Sequence, residues 1–285
     1  MTNNESGMID RRSNLAYDEF ASNYLFANKP VVLTDAASKW TAIGKWDLDY
    51  LKTHHGSVEV PLDGTTYRVA DYVDLVHAST ASSPAPYMRN QNIAKLFPEL
   101  MADLDPLPAV LSPNWLHHKY FPPQLQRLMS TNSVLEAFIG GPGATFPVIH
   151  FDSMYTHAFL TQVHGTKKLM LWDPTQSNLM YATKRNNVSD VNDVLKPDLE
   201  KYPRFADAKA AVTDIGPGDT AFIPSGWWHT ALMLTESITV SANVVNKSNW
   251  RDVSRDIVRG QSPLIAGPFL GYLTFLGALK DLLGA

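Results

Sequence analysis

Short apolar segments separated by turn residues dominate the second half of the chain. From residue 133 onward, segments rich in β-branched and aromatic residues alternate with turns such as 140–143 (GGPG) and 216–218 (GPG). Regularly spaced short strands are typical of a sandwich or barrel, not of a doubly wound α/β sheet. About eight strands predict a jelly-roll, also described as a double-stranded β-helix. The predicted strands are 134–139, 147–151, 158–163, 167–172, 211–215, 220–223, 230–234 and 238–245.

The first half of the chain has a mixed pattern that predicts both helices and strands. A hairpin is predicted over 57–68, where Asp63-Gly64 supplies the positive φ angles of a tight turn. Two helical patterns close the chain, at 248–258 and in an apolar run over 264–279. The remaining predicted elements are helices at 17–26, 70–77 and 96–104 and a strand at 30–34.

These elements predict a mainly β fold with flanking helices. An α+β part over residues 1–132 is expected to pack on a double-stranded β-helix core over 133–246. The longest interruption of the strand pattern, 177–209, is interpreted as an insertion that lies over one mouth of the barrel. Residues 247–285 are predicted to form C-terminal helices.

Composition narrows the classes of chemistry. The chain has 285 residues, 45% of them hydrophobic and 18% charged, which is ordinary for a globular protein. A net charge of −4 argues against a dedicated nucleic-acid surface, which needs a basic face. The chain has no cysteine, so disulfides, thiolate metal sites and cysteine nucleophiles are excluded. His, Asp and Glu remain as the strong metal ligands.

The two ends of the chain argue against membrane insertion. The N-terminal residues 1–17 are polar and lack the apolar segment of a secretory signal. The apolar run 264–279 is shorter than the ~20 residues of a membrane span and is interrupted by glycines and Pro268. A packed or dimerising helix is therefore expected, in a soluble, intracellular protein that is cytoplasmic or nuclear.

Two histidines and an aspartate form the candidate metal site. His150 and Asp152 are two residues apart on a predicted strand, so their side chains point to the same face. His229, in the stretch 223–229 (IPSGWWH), is the candidate third ligand. Two histidines and one carboxylate on one side of a metal leave further positions open, as in non-haem Fe(II) oxygenases.

A purely structural role for these residues is the alternative to a metal site. A lone H-x-D pattern is common by chance, and His150 could be a core histidine bonded to Asp152. The conjunction of motifs favours the metal. H-x-D, then 165–168 (GTKK), then 216–219 (GPGD) and IPSGWWH occur in this order within the β-rich half.

The stretches 150–172 and 216–243 resemble the JmjC branch of the cupin-fold 2-oxoglutarate oxygenases. The similarity is strongest to the small hydroxylases, such as the asparaginyl hydroxylase of hypoxia-inducible factor. Shorter stretches at 29–34, 45–51 and 97–100 are also similar to that branch. The resemblance implies Fe(II) as cofactor, 2-oxoglutarate and O₂ as cosubstrates, and release of succinate and CO₂. It also implies that His150, Asp152 and His229 are catalytic.

The resemblance further implies a cation for the distal carboxylate of 2-oxoglutarate. Lys167 matches the lysine of the family, whereas Lys168 is expected on the opposite face of the strand. From the residues alone, both could be solvated lysines at a strand edge. Asn243 matches an asparagine that the family often has near 2-oxoglutarate, although it could instead be a residue of a turn at the strand end. The role of His157 stays open.

Three functions are compatible with these motifs. The first is a dioxygenase that hydroxylates a protein side chain, with a protein or peptide as partner. The alternatives are a hydroxylase of a small-molecule metabolite and a non-catalytic cupin-like binding module. Hydroxylation and demethylation are both compatible with the motifs. A homodimer through the C-terminal helices is expected from the apolar tail and from the family.

Overall fold

Thirteen strands form the framework of the described part of the protein. The computed structural model describes residues 5–117, 135–184, 186–191 and 193–282. The strands are β1 Glu5–Met8, β2 Asp10–Arg12, β3 Val31–Leu33, β4 Glu59–Leu62, β5 Thr65–Arg68, β6 Met88–Asn92, β7 Glu136–Gly140, β8 His157–His164, β9 Lys167–Trp172, β10 Ala210–Ile215, β11 Thr220–Ile223, β12 Trp228–Met233 and β13 Ser237–Val244.

Helices flank these strands at both ends of the chain. A π-helical turn, Ala21–Leu25, continues the first helix. The α-helices are α1 Tyr17–Phe20, α2 Leu48–His55, α3 Val69–His77, α4 Ile93–Leu96, α5 Trp250–Ile257 and α6 Pro263–Leu282. The 3₁₀ segments are Pro98–Leu104, Ala109–Leu111, Trp115–His117, Ser153–Tyr155, Pro174–Leu179 and Pro203–Asp207.

Two sheets face each other as a jelly-roll. The larger sheet has the strand order β2-β3-β11-β8-β13-β7-β6, and the smaller has the order β1-β10-β9-β12. Strands β4 and β5 form a separate hairpin. Strands from the first part of the chain extend both sheets: β3 pairs with β11, and β1 pairs with β10. The predicted fold class, a mainly β jelly-roll with flanking helices, is confirmed.

Alternation along the strands separates the inside of the jelly-roll from its outer layers. On β9, Leu169 and Leu171 pack between the sheets with Ala231 and Ile223. Their neighbour Met170 faces outward, into an aromatic cluster under the segment 173–209. Helices α2 and α3 cover the outer face of the large sheet. Inward positions of β7, β8, β9, β12 and β13 therefore surround one interior space.

Most of the predicted elements are found, and the differences are local. The hairpin turn is confirmed, with φ values of 48° at Asp63 and 84° at Gly64. The predicted strand over 147–151 is wrong, because this segment forms isolated bridges through His150 and no ladder. Strands β1, β2 and β6 were not predicted. The predicted domain boundary at 132 lies outside the described residues, and the three-part division remains a prediction.

The apolar tail forms a longer helix than its sequence predicts. Helix α6 is continuous for 20 residues and contains Pro268 in its first turns. The expectation that Pro268 and the glycines interrupt the run is therefore wrong. By length and composition, α6 is the one helix among the described residues that could cross a membrane, with 17% of its apolar window buried. Leu273 and Gly277 attach it to Trp115 and Trp250.

Candidate metal centre

His150 and His229 lie directly opposite each other across a backbone bridge. The amide N of His150 donates to the carbonyl O of His229 at 3.0 Å, and the amide N of His229 donates back at 2.6 Å. Residues that exchange both hydrogen bonds of an antiparallel pair carry side chains on the same face. The two imidazole rings accordingly lie 4.4 Å apart, centroid to centroid.

Asp152 completes a cluster of three potential ligands. Its Oδ1 is 3.7 Å from His150 Nε2 and 4.0 Å from His229 Nε2. One donor atom from each residue lies within 4.8 Å of the others. Phe151, between His150 and Asp152, points the opposite way and packs against Trp228 and Tyr155. An extended segment held by bridges therefore provides the alternation that was expected from a strand.

Backbone carbonyls orient the two imidazoles. His150 Nδ1 contacts the carbonyl O of Val148 at 3.4 Å, and His229 Nδ1 contacts the carbonyl O of Trp227 at 3.0 Å. Because a carbonyl only accepts, each Nδ1 must carry the hydrogen. Each Nε2 is then a lone-pair donor directed at the space beside Asp152, as at histidine metal sites in general.

Burial prepares the cluster for a cation. Burial, aided by the nearby His229, lowers the pKa of His150 well below its usual value. His150 is therefore neutral near pH 7, the form that binds metal. Burial raises the pKa of Asp152, since an isolated carboxylate is costly in a dry site. A bound divalent cation would remove that cost.

The C-terminal helix α5 holds the loop that carries Asp152. Asp256 Oδ2 accepts from the amide N of Met154 at 3.2 Å. Asn249 Nδ2 donates to the carbonyl O of Tyr155 at 3.0 Å. Met154 and Tyr155 both have positive φ, at 59° and 52°, a backbone that non-glycine residues adopt only when their surroundings impose it. Contacts to α5 supply part of that constraint.

All five residues predicted for the site line one cavity. The cavity has a volume of about 410 Å³, within the usual range for small-ligand sites. The metal cluster lies on its wall together with Lys167 and Asn243. The described part of the insertion also reaches it through Asn187 and Val188. The roles assigned to these residues remain predictions, but the structure brings their side chains to one space.

Lys167 and Lys168 point to opposite faces of β9. Lys167 lines the cavity and is 2% exposed. Lys168 is on the outer face, where its Nζ pairs with Asp214 Oδ1 at 2.8 Å. Only Lys167 can therefore meet a ligand in the cavity.

The neighbours of the Lys167 ammonium are hydroxyl groups and aromatic rings, which do not neutralise its positive charge. Its Nζ donates to Thr239 Oγ1 at 2.6 Å and is 3.3 Å from Tyr87 Oη. The rings of Tyr87 and Phe138 flank it at 5.7 and 5.8 Å. Burial lowers the pKa of Lys167 to about 7, because no carboxylate within the described residues compensates the charge. An anionic ligand would supply that compensation.

Sequence reasoning missed three cavity residues. Tyr87 follows a loop-like stretch rich in Ser, Pro and Ala, and nothing local indicates that it enters the barrel. Thr239 is two residues after the start of β13, where strand alternation could have placed it inside. Glu136 lines the cavity from β7, and it could have been found as a lone acidic residue in an otherwise apolar strand.

His157 is a packed structural histidine. Its Nδ1 accepts from the amide N of Ser225 at 2.9 Å, so Nε2 carries the hydrogen and donates to Ser248 Oγ at 2.8 Å. The ring is 1% exposed. The imidazole thus ties the loop before His229 to the segment after β13, outside the metal cluster. Burial lowers the pKa of His157 to about 3.

We expect His157 to make the protein less stable in mild acid. The unfolded chain takes up a proton near pH 6.5, whereas folded His157 resists it down to about pH 3. Stability from this group is therefore present above pH 6.5 and is lost as the pH falls toward 3. At about 1.4 kcal/mol per pH unit, the loss between pH 6.5 and 5 is about 2 kcal/mol. Urea unfolding at several pH values measures it.

A matched pair of variants isolates the contribution of His157. His157→Gln should be less stable at pH 7.5 but should have a shallower decline toward pH 5. His54→Gln, at an exposed histidine, should keep the slope of the unaltered protein. Equal slopes in all three proteins would show that His157 protonates freely in the folded state.

The donor set fits Fe(II). Two imidazoles and one carboxylate on one side, facing an open cavity, match the ligand types and the open positions of non-haem iron sites. A structural zinc site would instead close its coordination with four protein ligands, and no fourth His, Asp or Glu joins the cluster within the described residues.

Comparison with known proteins agrees with this geometry. A family model described as a cupin-like domain matches residues 17–255. The chain is 29% identical to the lysine-specific demethylase JMJ21 of Arabidopsis thaliana, over 90% of this chain and 27% of that protein. It is 26% identical to the arginine-specific demethylase JMJ20 of the same plant, over 86% and 61%. It is 24% identical to the 2-oxoglutarate and iron-dependent oxygenase JMJD4 of Gallus gallus, over 85% and 60%. The chain thus spans less than two thirds of each of these relatives.

Proposed function

The chain belongs to the family of cupin-like domains, and we propose that it is an Fe(II)- and 2-oxoglutarate-dependent oxygenase that oxidises a protein side chain. One observation carries the proposal. The three potential iron ligands and a buried lysine with no counter-charge among the described residues line the same cavity. A metal-binding module without catalytic activity would have no need of the lysine.

His150, Asp152 and His229 would hold the iron. Iron supplies the oxidising chemistry when 2-oxoglutarate and O₂ are present, with succinate and CO₂ released. The chain itself keeps both imidazoles neutral and oriented through Val148 and Trp227. It also fixes Asp152 through the contacts of its loop with α5.

Lys167 would bind the distal carboxylate of 2-oxoglutarate. On β9, Lys167 pairs with Met233 and Leu171 pairs with His229. The lysine and the histidine are thus four residues apart along the strands, or about 13 Å. A lysine side chain, a five-carbon dicarboxylate and an imidazole together can span that distance. Tyr87 and Thr239 would position the ammonium, and Asn243 would contact the cosubstrate from β13.

The names of the relatives support a protein as substrate. Two of them are named as demethylases specific for lysine or arginine, and a third as a 2-oxoglutarate and iron-dependent oxygenase. The described insertion residues Asn187 and Val188 line the cavity, so a segment outside the two sheets shapes the entrance. We place the polypeptide substrate at this entrance. We also propose that the protein itself is soluble and intracellular.

The test is peptide oxidation by the iron-loaded full chain. The protein is incubated with Fe(II), 2-oxoglutarate, O₂ and a peptide mixture, and mass spectrometry then finds added oxygen or lost methyl groups. Oxidised peptides together with succinate are expected. Succinate that increases only with small metabolites would support the small-molecule alternative. Absence of iron binding and of succinate would support a binding module.

We infer further that the protein forms a homodimer through α6. The helix has no charged residue from Leu264 to Leu279, and large apolar side chains on it are exposed, such as Leu264 at 89% and Phe275 at 62%. Beside them, Gly267 and Gly271 have open space around them, so a second helix could approach closely. A second copy would offer the same apolar face, as a twofold interface requires.

A charge on this face should separate the dimer. Phe275→Glu would bury a carboxylate in the apolar interface, which costs several kcal/mol. Light scattering should give twice the mass of one chain for the unaltered protein and one chain for the variant. Lys39→Glu, at an exposed position outside α5 and α6, should remain dimeric. A monomeric unaltered protein, or one that sediments with lipid vesicles through α6, would contradict the dimer.

A further inference from the structure

A second acidic side chain faces the cavity of the metal centre. Glu136 is the first residue of β7, and its side chain lines the same cavity as His150 and Asp152. Its neighbour Ala137 points outward into the core under the helices, whereas Phe138, two residues on, points inward with it. Across the sheet, Glu136 is opposite the cavity residue Ser241 of β13.

No positive group within the described residues neutralises Glu136. Its carboxylate makes no ion pair or hydrogen bond in the ranges 5–117, 135–184, 186–191 and 193–282. The other cavity cation in those ranges, Lys167, directs its Nζ to Thr239 and Tyr87. Burial raises the pKa of Glu136 to about 7, and the charge of Asp152 adds to the rise. The cavity is therefore locally short of positive charge.

The metal would relieve only one of the two carboxylates. Asp152 lies with the two histidines in the ligand cluster, and Glu136 is not part of that cluster. A cationic group of a bound ligand would compensate the charge of Glu136 at the cavity wall. The cosubstrate 2-oxoglutarate is a dianion, so the Glu136 carboxylate would repel it. The two charged side chains of the cavity therefore favour different ligand groups. Lys167 favours the anionic cosubstrate, and Glu136 favours a positively charged group.

We propose that Glu136 is a specificity-determining residue that binds the cationic head of a lysine or arginine side chain of the substrate. The inference rests on the proposed function and deepens it. A guanidinium or ammonium pairs with a partly desolvated carboxylate more strongly than a neutral amide does. Polar side chains of the same cavity, Asn90 and Ser153, offer further hydrogen bonds.

The experiment compares peptides that differ only in charge. Acetylated pentapeptides of alanine carry arginine, citrulline, lysine or norleucine at the centre, so each cation has a neutral partner of similar shape. Their binding to the full chain, loaded with Mn(II) and 2-oxoglutarate, is measured by fluorescence polarisation. We expect at least one cationic peptide to bind about 10- to 100-fold more tightly than its neutral partner.

Glu136→Gln should remove that preference while preserving shape. Glu59→Gln removes an equal charge from the exposed side of β4 and should retain it. In parallel, conversion of 2-oxoglutarate to succinate without peptide is measured on the Fe(II) protein. That turnover reports the iron and cosubstrate sites in the absence of any peptide, and we expect Glu59→Gln to keep it within about twofold.

The charge preference of peptide binding tests the role of Glu136, and peptide-free turnover tests the proposed oxygenase, so the two proposals can fail independently. Normal peptide-free turnover without any charge preference, or with a preference that survives in Glu136→Gln, would overturn the role of Glu136. A preference that depends on Glu136, in a protein without any turnover, would overturn the proposed oxygenase and leave the cation site standing. If Glu136→Gln loses both turnover and preference, Glu136→Asp distinguishes loss of the charge from damage to the fold. Because it keeps the carboxylate, Glu136→Asp should retain part of the preference if the charge carries it.

Discussion

Replacing His229 with alanine is expected to abolish iron binding and to lower 2-oxoglutarate turnover about 1000-fold or more. His229 provides one of the three donor atoms that lie within 4.8 Å of each other. Loss of a group that merely orients a ligand typically costs 10- to 100-fold in metal affinity, so loss of a ligand costs more. The backbone pairing of residue 229 with His150 is independent of the side chain, so the variant should fold.

Metal content by atomic emission and succinate formation measure this loss. The control is His164→Ala, which removes a histidine from β8 that does not line the cavity. It should bind iron and turn over normally. Full iron content in the His229→Ala protein would show that the cluster is not the metal site. Unaltered turnover with reduced iron would separate activity from this cluster.

Replacing Lys167 with methionine is expected to weaken 2-oxoglutarate binding about 100- to 1000-fold. The methionine side chain fills the space but brings no charge to the distal carboxylate. Truncating one partner of a buried charge pair costs about 2 to 5 kcal/mol, and each 1.4 kcal/mol is a factor of ten. Lys168→Met, which breaks only the outer pair with Asp214, should bind 2-oxoglutarate normally. Equal affinities in both variants would exclude Lys167 from the site.

The pH dependence of binding gives an independent reading of Lys167. Burial lowers its pKa to about 7 without ligand, and a bound carboxylate would raise that pKa. Binding above pH 7 must then take up a proton, so affinity is constant below pH 7 and falls above it. Calorimetry with saturating Mn(II) should show affinity about 10- to 30-fold lower at pH 8.5 than at 6.5. Lys167→Met should show no such fall.

Alternation along the chain was sufficient to assign the predicted site residues to the inside of the barrel. Lys167 and Lys168 are adjacent in sequence, and the period of two places them on opposite faces wherever β9 lies. The same argument placed His150 and Asp152 together, although their segment is held by isolated bridges and not by a ladder. The side chains of His150 and Asp152 still lie on the same face, because this alternation depends on the extended backbone and not on which strand pairs with it.

Pairing between distant segments could not be predicted. Tyr87 meets Lys167 only because β6 joins the large sheet beside β7, and no local pattern around Tyr87 encodes that neighbour. Strands β1 and β2 are short and join the edges of the two sheets by parallel pairing with β10 and β3, which requires knowledge of the whole topology. The helix predicted over 264–279 continues through Pro268 without the expected interruption, because packing of α6 on Trp250 outweighs the local propensity.

Contacts from α5 to the Asp152 loop determine when the centre can be completed during synthesis. Chains emerge and fold from the N-terminal side, so Asn249 and Asp256 follow all three ligands out of the ribosome. A nascent chain that has just exposed His229 still lacks the two side chains that constrain Met154 and Tyr155. Iron that binds the proposed centre would therefore meet a fully constrained Asp152 loop only after these contacts have formed.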